Sequence, residues 1–478
     1  MATSDDNALP KVHPKSTGAV RSTCSVERPT MAFSRSLRPP DVICHWTAEE
    51  RRHHEKKLLW KIDVRVLPMI IIMQTLNYID RNNIAAARFA GLEDDLKLNS
   101  SGTQFSTAVS ILFVGYILMQ VTSNLLLNKI GKPGKYLAAC PGCLYYLSCW
   151  YTRRELGVRT TYLVAGTLIS GAFSGLIAAA VTGNMDGSRG LRAWRWLFII
   201  EGATTVFMAI VAFHVLPNFP RTTKWLNEEE MALATWRLEE DVGQDDWIGS
   251  KEQTLWRGFK LALEDVKTWV LLVLLFGNIS AVSVTNFFPT VVATIGYANV
   301  ITLLLTAPPY VLGLITTFMT AWHADKTNER FFHVAIPLWL AIITFIASAS
   351  TSNTAVQYVA IVLMIPGLYS GYTTALAWIS NTLPRPPAKR AAALAFINAV
   401  ANCTSIYTSY LYPKSAGPRY TNAWIHNCIV SALAILAAFV LRKILVRLNE
   451  KLHRGESVEG VVNAAPGQAM EHGFRFLV

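Results

Sequence analysis

Long apolar blocks dominate this chain. They cover residues 205–217, 269–297, 331–349, 355–380 and 425–441 with almost no paired charge. Blocks of this length are the signature of helices that cross a bilayer, whose core takes about 20 residues of helix. Only helices and closed barrels satisfy the backbone in lipid, and barrel strands alternate polar and apolar residues, which these blocks do not. The expected fold class is therefore all-α and polytopic. Charged residues make up 16% of the 478, well below the quarter usual in soluble domains. The net charge of +12 does not point to nucleic acid, because the basic residues lie between the apolar blocks and form no stripe. A positive-inside bias accounts for them.

A pass along the chain gives the organisation. Residues 1–46 are rich in Ser, Thr, Pro and Arg, lack the apolar core of a signal peptide, and read as a disordered cytoplasmic tail. Thr47 with Glu50 makes a capping box that opens a charged helix. The first half, 47–216, holds spans at about 64–90, 103–128, 158–182 and 193–216. A polar connector, 217–268, carries a second capping box at Asn227 and Glu230. The second half, 269–447, holds spans at about 269–297, 299–324, 331–350, 355–382, 389–412 and 422–446. A loose polar tail, 448–478, follows. Grouping the basic clusters on one side puts both termini in the cytoplasm. The seven cysteines are scattered and odd in number, so no disulfide framework is indicated.

One stretch does not fit. In "NKIGKPGKYLAACPGCLYYLSCWYTRRELGVR", residues 128–159, basic groups flank only about fifteen mostly apolar residues. Both flanks fall on the same expected side, and one short helix cannot cross and return. Residues 136–150 are expected to be helical but too short to span. A redox role for Cys140-Pro141-Gly142-Cys143 needs a soluble strand-to-helix turn, which is lacking here.

The segments "NYIDRNNIAAARFAGLEDDL", "GYILMQVTSNLLLNKIGKPGKYL", "CLYYLSCWYTRRELGVR", "GLRAWRWLFIIEG", "LLTAPPYV" and "LAWISNTL" resemble the fungal anion:cation symporter branch of the major facilitator superfamily, over residues 47 to 455. That branch includes permeases for allantoate, nicotinate, pantothenate and biotin. The resemblance implies a two-half helical bundle and proton-coupled uptake of a small organic anion. It also implies a monomer in the plasma membrane, with no cofactor, metal or enzymatic step. In the family "GKPGKYL" leads into a third helix, and a fourth follows with an Arg and a Glu. Here "AACPGCLYY" comes almost at once. The resemblance therefore implies that the N-terminal half is incomplete, with about 40 residues missing at about 20 per span. A truncated, non-transporting isoform or membrane sensor is the alternative function.

Several polar residues within spans are candidates for transport. Asp80 and Arg81 have apolar sequence on both sides, and ionisable groups there are costly unless paired or facing water. They are either a snorkelling pair or a working one. In the working reading Arg81 clamps a carboxylate with its planar fork, and Asp80 is its partner or a proton carrier. Asn77, Asn82 and Asn83 add polarity, with Asn83 expected to face a cavity. Asn286, Asn398 and Asn402 stand in the second half. Asn398 and Asn402 share a helix face and form a polar stripe or interhelical glue. Tyr310 and Trp378 could stack on a flat substrate or simply pack. Glu201 and Arg195 read as structural. Pro308-Pro309 is expected to break its span. No G-x-x-x-x-G-K-[ST] motif indicates a nucleotide motor.

Overall fold

Ten apolar helical segments, four then six, build the molecule among the described residues. The computed structural model describes residues 40–98, 103–130, 146–147, 149–242, 255–351, 353–383, 387–413, 416–417, 419–456 and 476–478, which belong to one compact unit, Pro39–Val478. No strand occurs among them.

In the N-terminal half α1 (Ala48–Phe89) runs unbroken through Pro68, started by the expected Thr47–Glu50 capping box. The short α2 (Leu92–Asp95) leads to α3 (Thr103–Ile130). After the stretch around residues 131–145, which lies outside the described residues together with the Cys140–Cys143 motif, come α4 (Arg153–Asn184) and α5 (Ala193–Val215). The connector carries α6 (Glu228–Val242) and α7 (Leu255–Glu264).

The C-terminal half has six spans. The first joins α8 (Val266–Val282) to α9 (Phe288–Ala293) through a 3-10 turn, Ser283–Phe287. The second is split at Thr306 into α10 (Asn299–Leu305) and α11 (Ala307–Thr327), so the break expected at Pro308-Pro309 is present just ahead of the prolines. Then follow α12 (Phe331–Ser350), α13 (Thr354–Thr382), α14 (Pro387–Asn402) continued by α15 (Thr404–Thr408), and α16 (Thr421–His453). The result is a two-half helical membrane bundle in which, among the described residues, four N-terminal spans stand against six C-terminal ones.

Most of residues 136–150, expected to be helical but too short to span, lie outside the described residues. Tyr146 and Leu147 are helical, and Cys149 and Trp150 turn. Tyr146, Leu147, Trp150 and Tyr151 are buried in a separate apolar cluster with Leu58, Ile62, Leu233 and Trp236. Trp150 stacks on Trp225 at 6.1 Å, and the Tyr146 hydroxyl donates to the Pro217 carbonyl at 2.7 Å. Ion pairs close the same end: Arg159–Asp63 at 2.9 Å, Arg237–Glu155 at 2.9 Å, Lys61–Glu230 at 2.6 Å, and Arg51 with Glu240. The basic groups of α1, α4 and the connector thus gather at one end of the half.

The motif "WRW" is also structural. Trp194 and Arg195 both donate to Asp95 Oδ2, at 3.0 and 2.8 Å, and pin the loop after α1 to the start of α5. The Trp194 hydrogen bond is the main reason the Asp95 carboxyl sits below the usual aspartate range.

Candidate functional site

The halves meet where α4 packs against α10, α11 and α13, α3 against α14 and α15, and α1 against the broken first span of the C-terminal half. The α4 contact depends on two glycines. A Cβ on Gly171 would stand 2.3 Å from the Tyr310 ring, and one on Gly175 would stand 2.1 Å from Thr306 Oγ1. Four residues apart, they lie on one face and let two helices touch at backbone distance. This G-x-x-x-G spacing stands in the sequence, and it marks the seam better than any polar residue does.

A narrow cleft lies at this junction, and the roughly 300 Å³ of non-atom space in it includes open solvent. Asn82 and Ala86 of α1, Ser174 of α4, Thr285 and Pro289 at the first helix break, and Thr306 and Tyr310 at the second contribute to its wall. Both discontinuities of the C-terminal spans therefore open onto one space. Interrupted spans at the midplane are a recurrent device for exposing backbone and polar groups to a substrate.

The candidates from the sequence are distributed as follows. Tyr310 lines the cavity and packs edge-on to Phe288 at 5.2 Å. Asn83 does not line it. Asn83 is 1% exposed and its Oδ1 has no hydrogen-bond partner, whereas the neighbouring Asn82 reaches the space. One residue along a helix turns the side chain by about 100°, and that rotation separates the two asparagines.

Asp80 and Arg81 diverge for the same reason. Asp80 accepts from Thr205 of α5 at 2.9 Å and makes no ion pair with Arg81. Glu201, one turn before Thr205, is 4% exposed with neither carboxylate oxygen bonded, and it lies in electrostatic reach of Asp80. Arg81 points the other way, into three aromatic rings. Its guanidinium carbon is 4.9 Å from the Tyr78 ring, 4.9 Å from Phe113 and 4.8 Å from Tyr116. The phenols of Tyr369 and Tyr372, on α13, feel its charge from the C-terminal half. No described acid forms an ion pair with it.

Trp378 is not a stacking platform in the cavity. It is fully buried and spends its indole N–H on the Leu477 carbonyl at 2.9 Å. Asn398 and Asn402 are half-buried and satisfy each other along their own helix. Asn402 Nδ2 donates to the Asn398 carbonyl at 2.7 Å and to its Oδ1 at 3.1 Å. The shared face read from their spacing is present, and no interhelical bond is made through it.

Two interrupted C-terminal spans that meet α1 and α4 at one cleft have the arrangement of a transport bundle. Residues 137–408 match the model of the Major Facilitator Superfamily, and the chain belongs to that superfamily. It is 30% identical to the fungal MFS transporter prlL over 374 residues, which is 69% of this chain and 74% of the relative. It is also 30% identical to an uncharacterized transporter of Schizosaccharomyces pombe over 448 residues, 85% of this chain and 90% of that one. The structure of the proton:xylose symporter XylE bound to 6-bromo-6-deoxy-D-glucose superposes with a TM-score of 0.60 at 15% identity, covering 79% of this chain and 95% of that chain. That likeness establishes the fold alone. The chain is a multi-pass membrane transporter of the major facilitator kind.

Proposed function

We propose that the chain derives from a proton-coupled symporter of small organic anions, of the anion:cation symporter branch. Its working residues are Arg81 for the anion, Asp80 with Glu201 for the proton, and Asn82 and Tyr310 at the cavity. The observation that carries the reading is Arg81: a cation inside a span that no described acid neutralises. Three rings offset part of its burial, each cation–π contact contributing about 0.5–2 kcal/mol. A bound carboxylate supplies the missing counter-charge through two parallel hydrogen bonds. The separation of Arg81 from the Asp80–Glu201 pair leaves anion and proton with different sites on one helix, as coupled uptake needs. The expected setting is the plasma membrane, with both termini cytoplasmic.

A second reading is favoured by a specific observation: this chain is a shortened form that transports poorly. Four N-terminal spans stand against six. The alignment lengths support a gap in the same sense. The Schizosaccharomyces relative aligns over 448 residues, but 85% of 478 is only about 406, leaving about 42 positions without a counterpart here. That is about two spans.

Uptake of labelled nicotinate, allantoate and pantothenate by a permease-deficient yeast tests both readings. This exact chain should give little saturable uptake. A chain with two spans restored between Leu137 and Cys143 should take up one of the three in a pH-dependent way, and Arg81→Lys in that background should lose most of it. Lysine keeps the charge and loses the fork. Normal uptake by the lysine variant removes Arg81 from the mechanism.

A further inference from the structure

Three residues remote from the cavity are tied to the bundle by their main-chain groups, and the first of them is buried like the core. Phe476 is 3% exposed. Its N–H donates to Asn449 Oδ1 and its carbonyl accepts from Asn449 Nδ2, both at 2.9 Å, so one amide side chain reads both polar groups of one backbone unit. The Leu477 carbonyl accepts from the Trp378 indole at 2.9 Å. The Val478 carbonyl accepts from the Arg330 N–H at 2.7 Å. Lys267 Nζ stands 5.4 Å over the Phe476 ring. These partners come from α8, the start of α12, α13 and α16, four of the six C-terminal spans.

The cradle is built for an extended peptide. Trp378 has no exposed surface, and a buried indole N–H almost always finds an acceptor. Without the segment that N–H and both Asn449 polar atoms would lose these partners. Main-chain carbonyls fix the register and one aromatic pocket selects the side chain, the usual division of labour in strand-like peptide recognition. The connection from Glu456, just beyond the end of α16, to Phe476 runs through residues 457–475. Nineteen residues reach up to about 60 Å, far more than the cradle requires. Docking within one chain also benefits from an effective concentration in about the millimolar range, so a modest intrinsic affinity suffices.

We propose that Lys267, Arg330, Trp378 and Asn449 form a peptide-binding site, specific for an aromatic residue followed by two aliphatic ones. The segment Phe476-Leu477-Val478 is its resident ligand. Occupation ties the ends of four spans together. A free peptide of the same chemistry, from this chain or another, competes for the same cradle. The proposal is independent of what the cavity transports.

The test uses a fluorescent peptide of residues 472–478, acetylated and amidated, and purified protein in nanodiscs. A variant lacking residues 476–478 should bind the peptide at least tenfold more tightly than the intact chain, whose cradle is occupied. Adding Asn449→Ala to that variant should weaken binding tenfold or more. Adding Trp378→Phe, which keeps a ring and removes the donor, should also weaken it. Equal binding to the intact and shortened chains, or no binding to a folded shortened chain, overturns the proposal. Should the shortened chain not fold, photo-leucine in place of Leu477 in the full chain decides the matter. Crosslinks confined to α13 and the start of α12 support docking, and crosslinks scattered over the surface or absent overturn it.

Discussion

The C-terminal half and the N-terminal half face the same bilayer with unequal means. In the C-terminal half 78% of the apolar stretch of α13 is buried, because α12, α11 and α8 pack around it together with α4 of the N-terminal half. In the N-terminal half the apolar stretch of α5 is 17% buried, and α3 leaves Ile111, Leu118 and Met119 more than half exposed. The main packing partners of α3 are α14 and α15 across the bundle. It is tied to α1 by arginines on rings: Arg81 on Phe113 and Tyr116, and Arg88 on Phe105 at 4.8 Å. Ser110 Oγ donates to the Ile406 carbonyl at 2.9 Å and fixes α3 to the other half. The difference teaches that a half short of helices borrows its scaffold. The N-terminal half is held by the C-terminal half on one side and by the polar cluster at its basic end.

The largest expected effect tests that borrowing directly. Restoring two spans after Leu137 should raise the thermal midpoint measurably, each kcal/mol shifting a chain this long by less than the ~2–4 °C seen for domains of about 150–250 residues. Hydrogen exchange should slow in α3 and hardly change in α13. Uniform slowing across both halves, or none, would break the comparison.

The next effect concerns the seam. Gly175→Val places atoms where Thr306 Oγ1 and the Leu303 carbonyl already sit, at 2.1 and 2.7 Å from even a single added carbon. Overpacking of this kind costs about 1–3 kcal/mol. The seam should open, and a cysteine at Ser174 should become reactive to a water-soluble maleimide. Gly183→Val on the same helix meets nothing within 4 Å and serves as the control. Equal reactivity in both variants would show that the glycines do not hold the halves together.

Glu201→Gln comes third. The carboxyl is buried with no hydrogen-bond partner, and an unsatisfied buried polar group costs about 1–3 kcal/mol. The amide cannot carry charge or a proton beside Asp80 and is as unsatisfied as the carboxyl, so the variant should stay within about 1 kcal/mol of the parent's stability while losing any proton coupling. A destabilised variant would mean that Glu201 is bonded in the working protein, and that α5 is better supported than its exposure suggests.

Much of this architecture was legible in the sequence, and the reasons differ by region. Span number and the break near Pro308 follow from length, proline chemistry and apolar runs, which act locally. The direction each polar side chain takes does not. Asn82 and Asn83 are equivalent in sequence, and about 100° of helix rotation decides which lines the cavity. Asp80 and Arg81 read as a pair because they are adjacent, and adjacency on a helix is what separates them. Glu201 read as structural because its own helix offers no partner, while Asp80 reaches it from α1. Trp378 read as a ring for substrate because the segment that occupies it lies 99 residues away in sequence.

The smallest effect compares acids at the ends of the two halves. Asp265 caps α8, accepting from the Lys267 N–H at 2.9 Å, and it meets Lys389 Nζ at 2.9 Å. Burial pushes its carboxyl up, but the charge of Lys267, the hydrogen bond from Lys389 and the capping bond together hold it below the usual aspartate range. Asp95 in the N-terminal half is also depressed, mainly by Trp194. A depressed carboxyl contributes stability that is fully present above its unfolded value, about 3.9, and is lost as pH falls through the lower folded value. Both ends should therefore loosen below about pH 4 and stay indifferent between pH 5 and 8. Asp265→Asn keeps a capping side chain and removes the charge, so at pH 7 it should cost about 1 kcal/mol. At pH 3 the cost should shrink, because the parent has by then begun to lose the same interaction. The Asp95 side chain is more exposed than that of Asp265, 21% against 11%, so Asp95→Asn should shift the melting curve less than Asp265→Asn at every pH. Thermal melts of the two variants at pH 7 and pH 3 check this. A larger loss from Asp95→Asn would mean that the Trp194–Arg195 clamp supports the N-terminal half more than the Asp265 tie supports its counterpart.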